Sequence, residues 1–137
     1  MVKILITSII GAMGFLIHKF LIDHIIKQKA QLREMQSYLK SMANIIANPG
    51  NDMNNERNDI KNKLRDLSAE LTAKTESISI YSLLALIKIV KDRSKINATC
   101  EDLIRLSNSL FEETKIQGFR NVDILKRVGK RLGISII

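Results

Sequence analysis

The sequence has no tryptophan, a single cysteine, one proline and six glycines in 137 residues, and only 4% of its side chains are aromatic. Each scarcity excludes something. With so few rings there is little to stack on the bases of single-stranded nucleic acid. Cys100 alone cannot close an internal disulfide, which rules out the cross-linked framework of a small secreted scaffold and fits a reducing compartment. One proline and six glycines are too few for the turns of an all-β domain.

Signatures of chemistry are missing as well. No GxGxxG or GxxxxGKS/T loop is present to cradle a phosphate. The only histidines, His18 and His24, lie six apart, so on a helix they point about 120° away from each other and cannot chelate a metal as an i,i+4 pair does. Glu101 with Asp102 and Glu112 with Glu113 are sequence neighbours that diverge on a helix, so neither forms an acid–base dyad. Cys100 falls near the expected start of a helix, which lowers a thiol's pKa, but no histidine stands near it in the chain to activate it. These absences predict a protein that is not an enzyme, with no cofactor, no metal and no small-molecule substrate.

What is present is charge and apolar patterning. The chain is 45% hydrophobic and 26% charged, a folded composition, and its net charge of +8 favours anionic partners. Residues 4–17 carry no charge, and apolar character resumes at Phe20, Leu21 and Ile22. Residues 4–22 span about 28 Å as a helix, enough for a hydrocarbon core of about 30 Å. This predicts a membrane anchor over residues 1–26, with Ile4, Ile9, Gly11, Gly14, Leu16 and Leu21 in lipid and Lys19 snorkelling to an interface. Thr7 with Gly11 and Ser8 with Ala12 repeat small residues at a spacing that lets two such helices approach. An amphipathic or fully buried helix is the first alternative, because the uninterrupted run is short, and a cleaved signal is disfavoured, because the small residues of a cleavage site are missing after Ile17. Only Lys3 and the terminal amine precede the span, whereas Lys19, Lys27, Lys29 and Arg33 follow it, so the positive-inside rule puts the N-terminus out and the bulk of the chain in the cytoplasm. The abundance of Ile, Lys and Asn suggests an AT-rich bacterial genome, so the membrane expected is a bacterial inner membrane.

Past the anchor, Ile25, Leu32, Met35, Leu39, Met42 and Ile46 follow an a/d spacing, interrupted by polar Gln28. A coiled-coil-like helix is expected over residues 27–48, continuous with the anchor and stopped at Asn48-Pro49-Gly50. A loop is expected over 49–56 and a basic helical bundle over 57–137. In that bundle Ile60, Leu64, Leu67 and Leu71 stripe one helix, and residues 78–90, capped by Ser77, read as a buried central helix, with a second membrane-associated segment or, from Ile78, Ile80 and the β-branched run, a strand as alternatives. Residues 91–94 read as a turn. Thr99 and Asp102 suggest the capped start of a helix that runs to 115 and is broken by Gly118. Over residues 122–132, Lys126, Arg127, Lys130 and Arg131 oppose Ile124, Leu125, Val128 and Leu132. That basic amphipathic pattern suits an anionic surface.

The fold expected is therefore all-α, a single transmembrane helix running into a small cytoplasmic bundle. The expected function is a membrane-tethered interaction module. Leu32, Met35, Leu39 and Met42 would pack against a protein partner or a second copy, and Lys126, Arg127, Lys130 and Arg131 would contact acidic lipid. Nucleic acid is disfavoured as a partner. The competing reading is a membrane-active effector of the toxin or lysis type.

Overall fold

The long apolar N-terminus and the heptad-like stripe behind it share one helix, because nothing between residues 2 and 47 breaks it. The computed structural model describes residues 2–50, 55–112 and 114–137. Helix α1 (Val2–Ile17) passes through a π-helical turn (His18–Ile22) into α2 (Asp23–Ala47). Four further helices follow: α3 (Asn55–Glu76), the short α4 (Tyr81–Leu86), α5 (Arg93–Ser109) and α6 (Lys115–Leu132). Among the described residues there is no strand.

Helices α2, α3, α5 and α6 form the bundle. α2 packs on α3 and α6, and α5 packs on the same two, which closes a four-membered ring. Its core takes Met35, Leu39 and Ile46 from α2, and Ile60, Leu64, Leu67 and Leu71 from α3. Ile96, Leu103 and Leu106 come from α5, and Leu125 and Val128 from α6. The chain returns Ile136 into the same core after α6 ends. A second, smaller cluster of Ile78, Tyr81, Leu84 and Val90 lies at the end of the bundle nearest α1, and Leu21 and Ile25 pack against it. This is called the proximal end below; the far end holds Ala47, Pro49 and Gly118.

Several expected boundaries move. Residues 78–90 do not form a buried central helix. Ile80 takes a left-handed conformation (φ 52°) at the start of α4 and Lys88 another (φ 59°) after it, so only six residues are α-helical. Ser77 caps nothing there; its hydroxyl turns back to the Lys74 carbonyl. Residues 93 and 94 belong to α5, which begins six residues before Thr99. Thr99 lies inside that helix, its Oγ1 donating to the Lys95 carbonyl at 2.8 Å. Gly118 breaks no helix: it sits in the first turn of α6, where a Cβ would come within 2.6 Å of the Ala47 carbonyl oxygen. α6 starts at Lys115, with Thr114 Oγ1 accepting from the Gln117 N–H. Of the expected loop, residues 55 and 56 are helical, and residues 51–54 lie outside the described residues, as does Glu113.

Candidate functional site

The proximal end gathers most of the exposed apolar surface. Ile4, Ile9, Leu16 and the other large side chains of residues 4–17 are all exposed, and Gly11 and Gly14 have open space beside them. Residues 3–47 form a helix long and apolar enough to cross a membrane, with none of its most apolar stretch buried in the protein. The π-turn marks where this exposed rod becomes a bundle helix. There the Asp23 N–H reaches the His18 carbonyl, and His24 Nδ1 donates to the Phe20 carbonyl at 2.9 Å. Asp23 and Lys27 pair at 2.8 Å on the same stretch.

Beside this junction α4 presents a second apolar face. Leu84 and Tyr81 point inward, whereas Ile80, Leu83, Leu86 and Ile87 point out, with Leu86 77% exposed. A helix of six residues has no stability of its own, so α4 is held by what lies beneath it. Gln28, the polar interruption of the heptad, is fully buried there and donates to Thr75 Oγ1 at 2.7 Å and to the Tyr81 hydroxyl at 3.2 Å. Tyr81 in turn donates to the Lys91 carbonyl. Burial pushes the Tyr81 phenol above its ordinary pKa, against the opposing pull of Gln28 and Arg93, so the proton it donates stays in place. The Arg93 guanidinium lies over its ring, 5.1 Å from the centroid.

The predicted basic surface of α6 divides. Lys126 and Lys130 are exposed. Arg127 and Arg131 instead turn towards α5 and clasp the buried carboxylate of Asp102, Arg127 through two hydrogen bonds of 2.9 and 3.2 Å. Arg131 also donates to the Ala98 carbonyl at 3.2 Å. Asp102 is therefore no helix cap but the anchor of the α5–α6 seam. Burial alone would raise its pKa; the two guanidiniums outweigh it and hold the carboxyl below its ordinary value.

The predicted packing stripe faces inward. Met35 and Leu39 are fully buried, and Leu32 and Met42 are half-buried against the same core. Within this chain they pack on its own bundle, not on an exposed face. Cys100 also lies inside α5, well past its start, and contacts Thr72 Oγ1 and the Ser68 carbonyl.

The far end shows two features that the periodicity does not disclose. Asn121 is fully buried in α6: its Nδ2 donates to the Ile46 carbonyl at 2.8 Å, and its Oδ1 accepts from Ser109 and Gln117. Next to it a groove of about 500 Å³ is lined by Ala47, Pro49, Gly118, Phe119 and Val122. Ile116 and Phe119, exposed by 64% and 74%, stand on α6 at this end. Their signal was present as apolar residues on the polar side of α6, but the helix was expected to begin only at residue 122. Among the described residues no group of His, Cys, Asp and Glu could hold a metal ion. Comparison with family models, with curated proteins and with solved structures finds no match to this chain.

Proposed function

We propose that this protein is a membrane-tethered helical interaction module without catalytic activity. The observation that carries the reading is the separation of surfaces. α1 exposes its apolar side chains all round, α4 adds its apolar face at the same end, and the four-helix bundle buries its own core. A helix apolar on every side belongs in lipid. In this reading α1 and the π-turn cross a bacterial inner membrane once, with the N-terminus outside. Lys27, Lys29 and Arg33 after the span, with Lys19 snorkelling to the same interface, favour the bundle on the cytoplasmic side. The bundle then carries its far-end groove and Phe119 away from the bilayer, where a protein partner can reach them.

The test uses the full-length chain with a C-terminal tag. Membranes are washed with alkaline carbonate and the protein is purified in mild detergent with whatever accompanies it. The module reading expects retention through the wash and a stoichiometric protein partner that a Phe119→Asp variant no longer recovers. Release by carbonate overturns the anchor. The second reading, a membrane-active effector, draws on the exposed face of α4, which would enter the bilayer beside α1. It expects rapid depolarisation of cells on induction, which a tethered module does not cause.

A further inference from the structure

A cleft of about 590 Å³ opens at the proximal end, between α2, the segment after α4 and the start of α5. Four lysines line it: Lys29 from α2, Lys88 and Lys91 from the segment after α4, and Lys95 from α5. Asp92 is the one carboxylate in the lining, and it is engaged with Lys95 at 3.4 Å. Among the described residues Lys29, Lys88 and Lys91 form no ion pair. Leu86 and Ile89, both exposed, supply its apolar rim. Three lysines without ion pairs, one from α2 and two from the segment after α4, make this lining electropositive, and an anion held there would offset their charge.

Position identifies the anion. Lys29 follows Ile26, the last exposed large apolar residue of the rod, by three residues, so it lies about 5 Å beyond the point where the rod's apolar surface ends. The polar head-group layer begins there and is about 5–8 Å thick. The cleft also adjoins the outward face of α4, with Leu86 common to both. Apolar chains lying along Leu83 and Leu86 would bring a head group to the lysines.

We propose that this cleft binds the phosphate of an acidic phospholipid in the leaflet that the anchor enters, and so fixes the bundle's orientation against the membrane. The proposal rests on the membrane reading above for its depth argument. Neutral phosphatidylcholine lacks the net charge, and inorganic phosphate lacks the chains that α4 would meet.

The test titrates the full-length protein in a nonionic detergent with short-chain phosphatidic acid, phosphatidylcholine and inorganic phosphate, each read by calorimetry. Variants are Lys29→Gln/Lys91→Gln in the cleft and Lys126→Gln/Lys130→Gln on the exposed face of α6, which remove the same charge. Their thermal unfolding is compared first, since all four side chains are exposed and folding should be unchanged. Saturable binding of phosphatidic acid, weakened at least tenfold by the cleft pair and less than twofold by the α6 pair, is the expected result. Equal weakening by both pairs would reduce the effect to diffuse charge and overturn the site. Equally tight binding of inorganic phosphate would overturn the lipid as occupant, and no saturable binding would overturn both. Carbonate extraction of the same wild-type chain separates the two ideas. Release from membranes with specific phosphatidic acid binding intact removes the anchor and leaves the cleft.

Discussion

Asp102 shows how one residue's role depends on neighbours far away in the chain. From sequence it stands three residues after Thr99 and reads as half of a helix cap; in the fold it is 2% exposed and held by guanidiniums 25 and 29 residues later. A buried carboxylate without partners would be costly, so the α5–α6 seam depends on this clasp. Its folded pKa is lowered, so its contribution is complete above the ordinary unfolded carboxylate range and is lost as pH falls through the lowered folded value. Asp102→Asn removes the charge but keeps the shape and is expected to cost about 1–2 kcal/mol near pH 7. As pH falls below the ordinary carboxylate value of about 4 towards the lowered folded value, that contribution shrinks, and the gap between the two proteins should narrow. Urea unfolding of both at pH 7 and at pH 3 reads this, and a gap of constant size would show that the clasp contributes nothing. The seam was illegible in the sequence because Arg127 and Arg131 carry the same spacing whether they face lipid or a buried acid. Gln28 was read as an interruption for a similar reason, since its partners Thr75 and Tyr81 lie 47 and 53 residues away.

Among the elements, those whose ends carry ordinary stop signals were legible and those without them were not. α2 ends at Asn48-Pro49-Gly50, and α6 ends with Gly133 in the left-handed conformation that glycine adopts freely. α4 closes in the same way, the Ile89 N–H reaching the Leu84 carbonyl at 2.9 Å, but the left-handed residue is Lys88. At its start Ile80, a β-branched residue, is left-handed too. Neither position announces a helix end, so residues 78–90 read as one continuous helix. Glycine misleads in the other direction within α6. Gly129 reads as a weak point costing about 1 kcal/mol relative to alanine. The structure gives it a use: its carbonyl accepts from Gly133 and Ile134, and a Cβ there would come within 2.8 Å of the Ile134 carbonyl oxygen. That contact is with backbone, so relieving it means moving the tail that delivers Ile136 to the core. Gly129→Ala should therefore destabilise by about 1–2 kcal/mol despite the better helix propensity. Gly14→Ala, with open space around it, should leave the bundle's melting temperature unchanged. A Gly129→Ala protein that melts at or above the wild-type temperature would mean that the tail yields without cost.

At the scale of the whole molecule, the apolar N-terminal rod and the bundle share residues. The sequence divides at about residue 26, where hydropathy falls, and a hydropathy profile has no way to register that Leu21 and Ile25 serve both parts. They belong to the apolar rod by sequence, yet they pack on Ile78, Tyr81, Leu84 and Val90. That cluster is the base on which α4 rests, and through Tyr81 it is tied to Gln28 and to the Lys91 carbonyl. An unbroken helix joined to the bundle by these contacts acts as a rigid mount, so under the membrane reading proposed above the depth of the rod would also set the height of α4 and of the lysine cleft. Two truncations separate this arrangement from a simple tether. A chain starting at residue 19 keeps Leu21 and Ile25, and one starting at residue 28 loses them while keeping Gln28. Half-burial of two large aliphatic side chains contributes about 2 kcal/mol, roughly 8 °C in the melting temperature of a domain this size. The shorter chain should melt lower by about that amount in the same nonionic detergent. It should also expose Tyr81 to faster quenching, because the cover over the second cluster is gone. Equal melting temperatures would mean that the bundle ends at Gln28 and that the rod hangs from it as an independent element.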